Sequence, residues 1–140
     1  MTKPRVVQVG IASYEQQKAR LMAIARGEHK PGRDDPKIWF SSMESLAQVL
    51  SSKNQLLLEI IAVSKPASIG DLEQLTGRRS SNLSRSLKTL QHYGLVSLSK
   101  EGKVVVPRTV YERVEINLDL LAASRWQSGS PSDHDGHAAA

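Results

Sequence analysis

Residues 66–96 read Pro66-Ala-Ser-Ile-Gly-Asp-Leu-Glu-Gln-Leu-Thr-Gly77 and then Arg78-Arg-Ser-Ser-Asn-Leu-Ser-Arg-Ser-Leu-Lys-Thr-Leu-Gln-His-Tyr-Gly-Leu-Val96. Ile69, Leu72 and Leu75 recur at three-residue spacing behind Ser68, so a short amphipathic helix with Ser68 as N-cap is the simplest account. Gly77 ends it. A second apolar pattern begins at Ser80 or Ser81, with Leu83, Leu87 and Leu90 at i, i+4 and i+7. At ~100° per residue the three leucines fall within about 60° of one another. Ser81, Arg85, Lys88 and His92 fall opposite them, with Asn82, Ser84 and Thr89 on the flanks. That outward face offers donors and short hydroxyls and no carboxylate, which is the chemistry needed to approach phosphates and reach base edges in a major groove. Gly94 closes the helix. Leu95, Val96 and Leu98 then lead through Ser99-Lys-Glu-Gly102 into Lys103-Val-Val-Val106, two β-prone runs around a glycine turn, so a hairpin with Lys100 and Lys103 at its tip is expected.

Ser81-Asn-Leu-Ser-Arg-Ser-Leu87, followed by Leu90 and Tyr93-Gly-Leu-Val96, resembles the recognition helix and first wing strand of MarR-like winged helix-turn-helix regulators. With its N-terminal strand and helix and its valine-rich segment after the wing, the chain is similar over roughly residues 5 to 120 to a family of prokaryotic DNA-binding proteins within that group. Some members of that family are encoded beside toxin genes and look like antitoxins. The chain departs from such regulators in carrying Ser80 and Ser81 where an acidic residue is common.

Outward from the motif, Ser52 with Gln55 offers a capping box for Leu56-Leu-Leu-Glu-Ile-Ile-Ala-Val63, which is apolar on most of its circumference and is expected to be the central core helix. Ser41 with Glu44 offers another for a helix through Leu46, Val49 and Leu50. Ile38, Trp39 and Phe40 precede it and form the densest aromatic spot of the chain. Val7, Val9 and Ile11 mark a short strand, and Ser13 with Gln16 a capping box opening a helix from Tyr14 to about Arg26, with Tyr14, Leu21, Met22, Ile24 and Ala25 as its apolar stripe. Gly27, Pro31, Gly32 and Pro36 mark a linker. After Pro107, Val110, Glu112, Val114, Ile116, Leu118 and Leu120 share one parity, which, despite Glu112 on the apolar side, predicts a strand over about ten residues pairing with residues 5 to 11 of the same or a neighbouring subunit.

The expected fold class is therefore mainly α with small β (α+β). A winged helix-turn-helix domain spans 38–121, preceded by a strand-and-helix arm with linker at 1–37 and followed by a disordered tail at 122–140, rich in Ser, Gly, Pro, Asp, His and Ala. The arm is expected to dimerise or to pack back, because a strand and helix of that size cannot bury their apolar faces alone.

Of the net charge of +5, residues 1–40 hold eight Lys and Arg against four acids and residues 65–113 nine against four, so positive charge gathers on the motif, the wing and the arm. The chain has no cysteine, which excludes disulfides and thiolate chemistry. No apolar run approaches the ~20 residues of a membrane span and no signal-peptide pattern opens the chain, so a cytoplasmic protein is expected, and the resemblance implies a prokaryotic one. There is no glycine-rich phosphate loop, no Gly-x-Ser-x-Gly and no His-Glu-x-x-His, so neither catalysis nor a cofactor is expected. Asp133-His-Asp-Gly-His137 has ligand-type residues but no rigid scaffold, so no metal site is expected.

The expected function is sequence-specific binding of double-stranded DNA by a homodimeric regulator, a repressor reading a pseudo-palindromic operator through residues 80–93 with a wing at 95–107; the alternative is an antitoxin that binds a toxin and autoregulates its operon, and the third is a winged domain used only for protein contacts. Ser81, Asn82 and Arg85 are expected at base edges, with Ser84 flanking them. Ser68, Arg78, Arg79, Lys88, Lys100 and Lys103 are expected at phosphates, the two arginines because they precede the helix at its positive end.

Overall fold

The computed structural model describes residues 3–126, which form an α+β winged helix-turn-helix with small sheets. The described residues divide into two compact units, one of residues 3–7 and 44–115 and one of residues 8–43 and 116–126.

The first unit is built on four helices, α2 (Met43–Val49), α3 (Ser52–Ser64), α4 (Ile69–Thr76) and α5 (Ser80–His92), and a hairpin of β3 (Val96–Glu101) and β4 (Val104–Thr109). Four serine or glycine devices cut the helices to length. Ser51, one residue ahead of the expected cap, accepts from the Asn54 N–H and starts α3. Ser68 accepts from the Asp71 N–H and starts α4, and Gly77, at φ +70°, ends it. At the end of α5 the Leu95 N–H bonds the Leu90 carbonyl and the Gly94 N–H bonds the Gln91 carbonyl, each at 2.9 Å. These two bonds form a Schellman closure that needs Gly94 at φ +78° and seats Leu95 over Leu90. Leu72, Leu83, Leu87 and Leu90 are withdrawn from solvent together with Leu57, Ile61, Leu95, Val96 and Val106, so the core lies where α3, α4 and α5 meet the hairpin.

Two expectations change here. The helix over Leu56–Val63 is not buried all round: only Leu57 and Ile61 are buried, while Leu56 and Val63 are 57% and 77% exposed, because the neighbours of α3, chiefly β4 and α4, cover one side of it and leave the other open. The strand after the wing, β5, spans only Arg113–Asn117, since the Val110 N–H turns back to the Leu95 carbonyl. Its apolar parity stays outside, with Ile116, Leu118 and Leu120 all exposed. The expected pairing is present within the chain: β5 neighbours β1 (Val6–Ile11), and Glu112 and Arg113 both donate backbone N–H bonds to the Arg5 carbonyl.

In the second unit β1 runs parallel to β2 (Ile38–Phe40), with Val9 opposite Ile38 and Ile11 opposite Phe40, and these four side chains are buried. Helix α1 (Tyr14–Ala25) opens on the expected capping box, Ser13 accepting from the Gln16 N–H and Gln16 accepting from the Ser13 N–H. Its apolar stripe is not buried: Tyr14 and Leu21 are 79% and 62% exposed, and no residue of α1 is buried. Of the stretch assigned to the tail, Ala122–Arg125 form a helical turn, α6, with Ala122 buried, and the Asp133–His137 cluster lies outside the described residues.

Because Leu83 and Leu87 fill the core from α5, replacing either with Ala should cost about 2 to 5 kcal/mol in urea unfolding. Arg85→Ala, on the solvent face, should stay within about 0.5 kcal/mol of the parent. Equal losses at Leu83 and Arg85 would mean that α5 is turned the other way.

Candidate nucleic-acid interface

Helix α4 ends at Thr76, the three residues 77–79 turn the chain, and α5 begins at Ser80. The turn is held by side chains rather than left loose. Thr76 Oγ1 donates to the Leu72 carbonyl at 2.8 Å and accepts from the Arg78 N–H at 3.2 Å. The Arg78 guanidinium reaches over the turn and donates through Nη2 to Ser86 Oγ at 2.8 Å, while its Nη1 is buried without a hydrogen-bond partner. Arg78 is thus half-buried and tied to α5, whereas Arg79 is exposed.

On α5 the leucine stripe inward fixes what points outward. Ser81, Asn82, Ser84, Arg85, Lys88, Gln91 and His92 are exposed. No acid sits in the first turn of α5 and no side chain caps it, Arg79 holding the N-cap position in extended backbone. The contrast with α4 is chemical: there Ser68 caps the first turn, and the Asp71 carboxylate accepts from the Ala67 N–H at 3.2 Å. A first turn whose N–H groups are uncapped and free of carboxylate is the end of a helix that favours a phosphate. Along α5 itself Thr89 Oγ1 donates to the Arg85 backbone carbonyl, and no ion pair among the described residues includes the Arg85 side chain.

The hairpin pairs Val96 with Thr109 through Glu101 with Val104, so Gly102 and Lys103 make a two-residue loop. Gly102 takes φ +64° at its first position, where a tight hairpin turn of this length calls for glycine. Lys100 and Lys103 are exposed at this tip, with Glu101 between them. At the root, Arg108 donates through Nη1 to the Pro66 carbonyl at 2.6 Å and so ties β4 to the entry of α4. Ser81, Asn82, Ser84, Arg85 and Lys88 are therefore brought onto one exposed helix face; Arg79 stands at its start and Lys100 and Lys103 at the wing tip. Ser68 is occupied as a cap, and Arg78 is turned toward Ser86. The Arg78–Ser86 bond was not read from the sequence. Ser86 lies ~60° from Leu83 on the helical wheel, at the margin of the buried stripe, and that position is the one signal available.

The second unit holds a different kind of site, a cavity of about 720 Å³ bordered by Arg20, His29, Asp35, Trp39 and Trp126 among others. Arg20 Nη2 donates to Asp35 Oδ2 at 2.8 Å, and His29 Nε2 lies 3.2 Å from the same oxygen. Burial raises the Asp35 pKa, but the hydrogen bonds from Arg20, His29 and the Gly32 backbone, with the Arg20 charge, outweigh it and hold the carboxyl below its usual value. Among the described residues, no group of three or more His, Cys, Asp or Glu is placed to hold a metal, and no helix is long and apolar enough to cross a membrane.

Residues 49–116 match the model of a family described as HVO_A0114. No curated protein matches the chain. Among solved structures, the chain is similar to one described as "Crystal structure of the predicted DNA-binding transcriptional regulator from E. coli", with 22% identity, a TM-score of 0.42, and coverage of 67% of this chain and 84% of that one.

Asp35 also sets an acid limit. Its folded pKa lies below the 3.8 of the free group, so its contribution is complete above that value and is lost as pH falls through the folded pKa. Asp35→Asn should therefore be less stable than the parent at pH 7, with the gap closing below pH 3.8 in unfolding curves. A gap that stayed constant with pH would place the ion pair outside the folded state's energetics.

Proposed function

We propose that the chain is a sequence-specific regulator of transcription that binds double-stranded DNA as a homodimer and represses through a pseudo-palindromic operator. The observation that carries this reading is the exposed face of α5, which presents Ser81, Asn82, Arg85 and Lys88 with no carboxylate and an uncapped first turn. In this reading α5 enters the major groove. Arg85, Asn82 and Ser81 meet base edges, each good contact discriminating by about 1 to 3 kcal/mol, with Ser84 beside them. Arg79, Lys88, Lys100 and Lys103 meet phosphates and set the register. Ser68 and Arg78 belong to the same surface in a lesser role. The Ser68 hydroxyl is shared with the cap of α4, and Arg78 reaches a phosphate only by leaving Ser86.

The dimer rests on apolar surface that the single chain does not cover. Tyr14, Leu21 and Ala25 fall on one side of α1 and are exposed, as are Leu56 and Val63 on α3. A second copy that buries these residues would carry two recognition helices at a separation of about one helical turn of DNA, ~34 Å. The same exposed stripe favours a second reading, the antitoxin, in which α1 covers a toxin encoded nearby while the winged unit represses its own operon. Co-purification with the neighbouring gene product separates the two.

The test is selection of binding sites from random duplexes, with light scattering for mass. The parent should enrich one palindromic motif as a dimer. Arg85→Ala should flatten the preference, whereas Lys103→Ala should weaken all duplexes alike and reduce the slope of log K against log salt by about 1. Unchanged selection by Arg85→Ala would rule out α5 as the reading helix.

A further inference from the structure

We propose that the cavity of the second unit is a binding site for a small molecule with a flat aromatic body and a protonated amine. Its volume of about 720 Å³ is that of an ordinary small-molecule pocket, ~300 to 1,000 Å³. The composition of its wall is unusual for this chain. The sequence contains two tryptophans, and both border this one cavity.

Each indole has a packing partner in the wall. Trp39 lies against the backbone of Gly10, where a Cβ would come within 2.5 Å of Cζ3, so only glycine admits the ring there. The Arg20 guanidinium sits 5.1 Å from the Trp39 ring centroid and its side chain is 12% exposed, so it packs the indole from another side. Trp126 meets the His29 ring edge to face at 4.9 Å and 80°. Ile11, Leu118 and Leu121 supply aliphatic wall. Rings held in this way need no ordering when a flat apolar body enters, and preorganisation of that kind favours affinity.

The charges select the ligand's polar end. Arg20 is neutralised by Asp35 and Arg125 by Asp119, each pair at 2.8 Å. Asp34 is the remaining carboxylate of the lining, and no ion pair among the described residues includes it. A cavity with two indoles and one uncompensated carboxylate is complementary to an aromatic ammonium ion. The ring enters the apolar wall, while the cation faces Asp34 and the electron-rich indole surfaces. An anionic aromatic would meet the same carboxylate with the wrong sign. This site stands apart from the DNA reading, since every residue in it belongs to the second unit.

The experiment titrates the full-length protein with 1-naphthylmethylamine, with 1-naphthalenemethanol as the neutral probe and 1-naphthoate as the charge-reversed one. Binding is followed by calorimetry and by the two indole N–H resonances in ¹H–¹⁵N spectra. The amine is expected to bind one per chain, to shift both indole resonances, and to bind at least about threefold more tightly than the alcohol, with the naphthoate weakest. Asp34→Asn should abolish the preference for amine over alcohol and leave the alcohol's affinity unchanged. Trp126→Ala should weaken the amine about tenfold, with the surviving Trp39 resonance reporting whether the unit is still folded. The proposal is overturned if the amine shifts neither indole, if the naphthoate binds tightest, or if Asp34→Asn, at an exposed position that does not threaten folding, retains the full preference for the amine.

Discussion

Leu83, Leu87 and Leu90 are each withdrawn from solvent by one face of α5, and that burial sets the azimuth of the helix on which every functional statement about the first unit depends. A helix of 13 residues has its side chains fixed in direction once one stripe is committed to the core. Ser81, Arg85 and Lys88 project outward because the leucines cannot. The Schellman closure at Gly94 strengthens the constraint, since it seats Leu95 over Leu90 and delivers the chain into β3 without a loose loop. The wing is thereby tied to the same core as the helix it flanks.

Polar groups divide the helices into two kinds. Ser13, Ser51 and Ser68 each spend a hydroxyl on the first turn of α1, α3 and α4, which closes those ends to an outside anion. At α5 no side chain does this, and the arginine immediately before the N-cap is drawn into a bond with Ser86 instead. That bond ties the turn between α4 and α5 to α5 itself. In the proposed reading, a surface held in this way loses less conformational freedom when it docks on DNA.

The second unit is organised by a different economy of surface. Its larger buried apolar side chains come from β1 and β2, while α1 keeps its stripe in solvent. Trp39 and Trp126, which would ordinarily close a small core, instead border a cavity, and ion pairs around Asp35 and Asp119 hold the polar part of its wall.

The helix-turn-helix and its wing were legible in the residues themselves, because local signals and burial agree there. A serine cap, a glycine at positive φ and leucines at helical spacing each specify the same elements without reference to distant parts of the chain. The outward face of α5 follows from the same pattern, and so the residues of the candidate interface could be named before any tertiary contact was known. Tertiary structure alone decided three matters. It left Leu56, Val63, Tyr14 and Leu21 exposed, since periodicity shows that a helix has an apolar side but not whether anything covers it. It cut the predicted strand to Arg113–Asn117, because the Val110 N–H is taken by Leu95. And it brought Trp39 and Trp126, 87 residues apart in sequence, to one cavity and Arg78 to Ser86, since proximity between distant residues is set by packing and leaves no local mark in a chain.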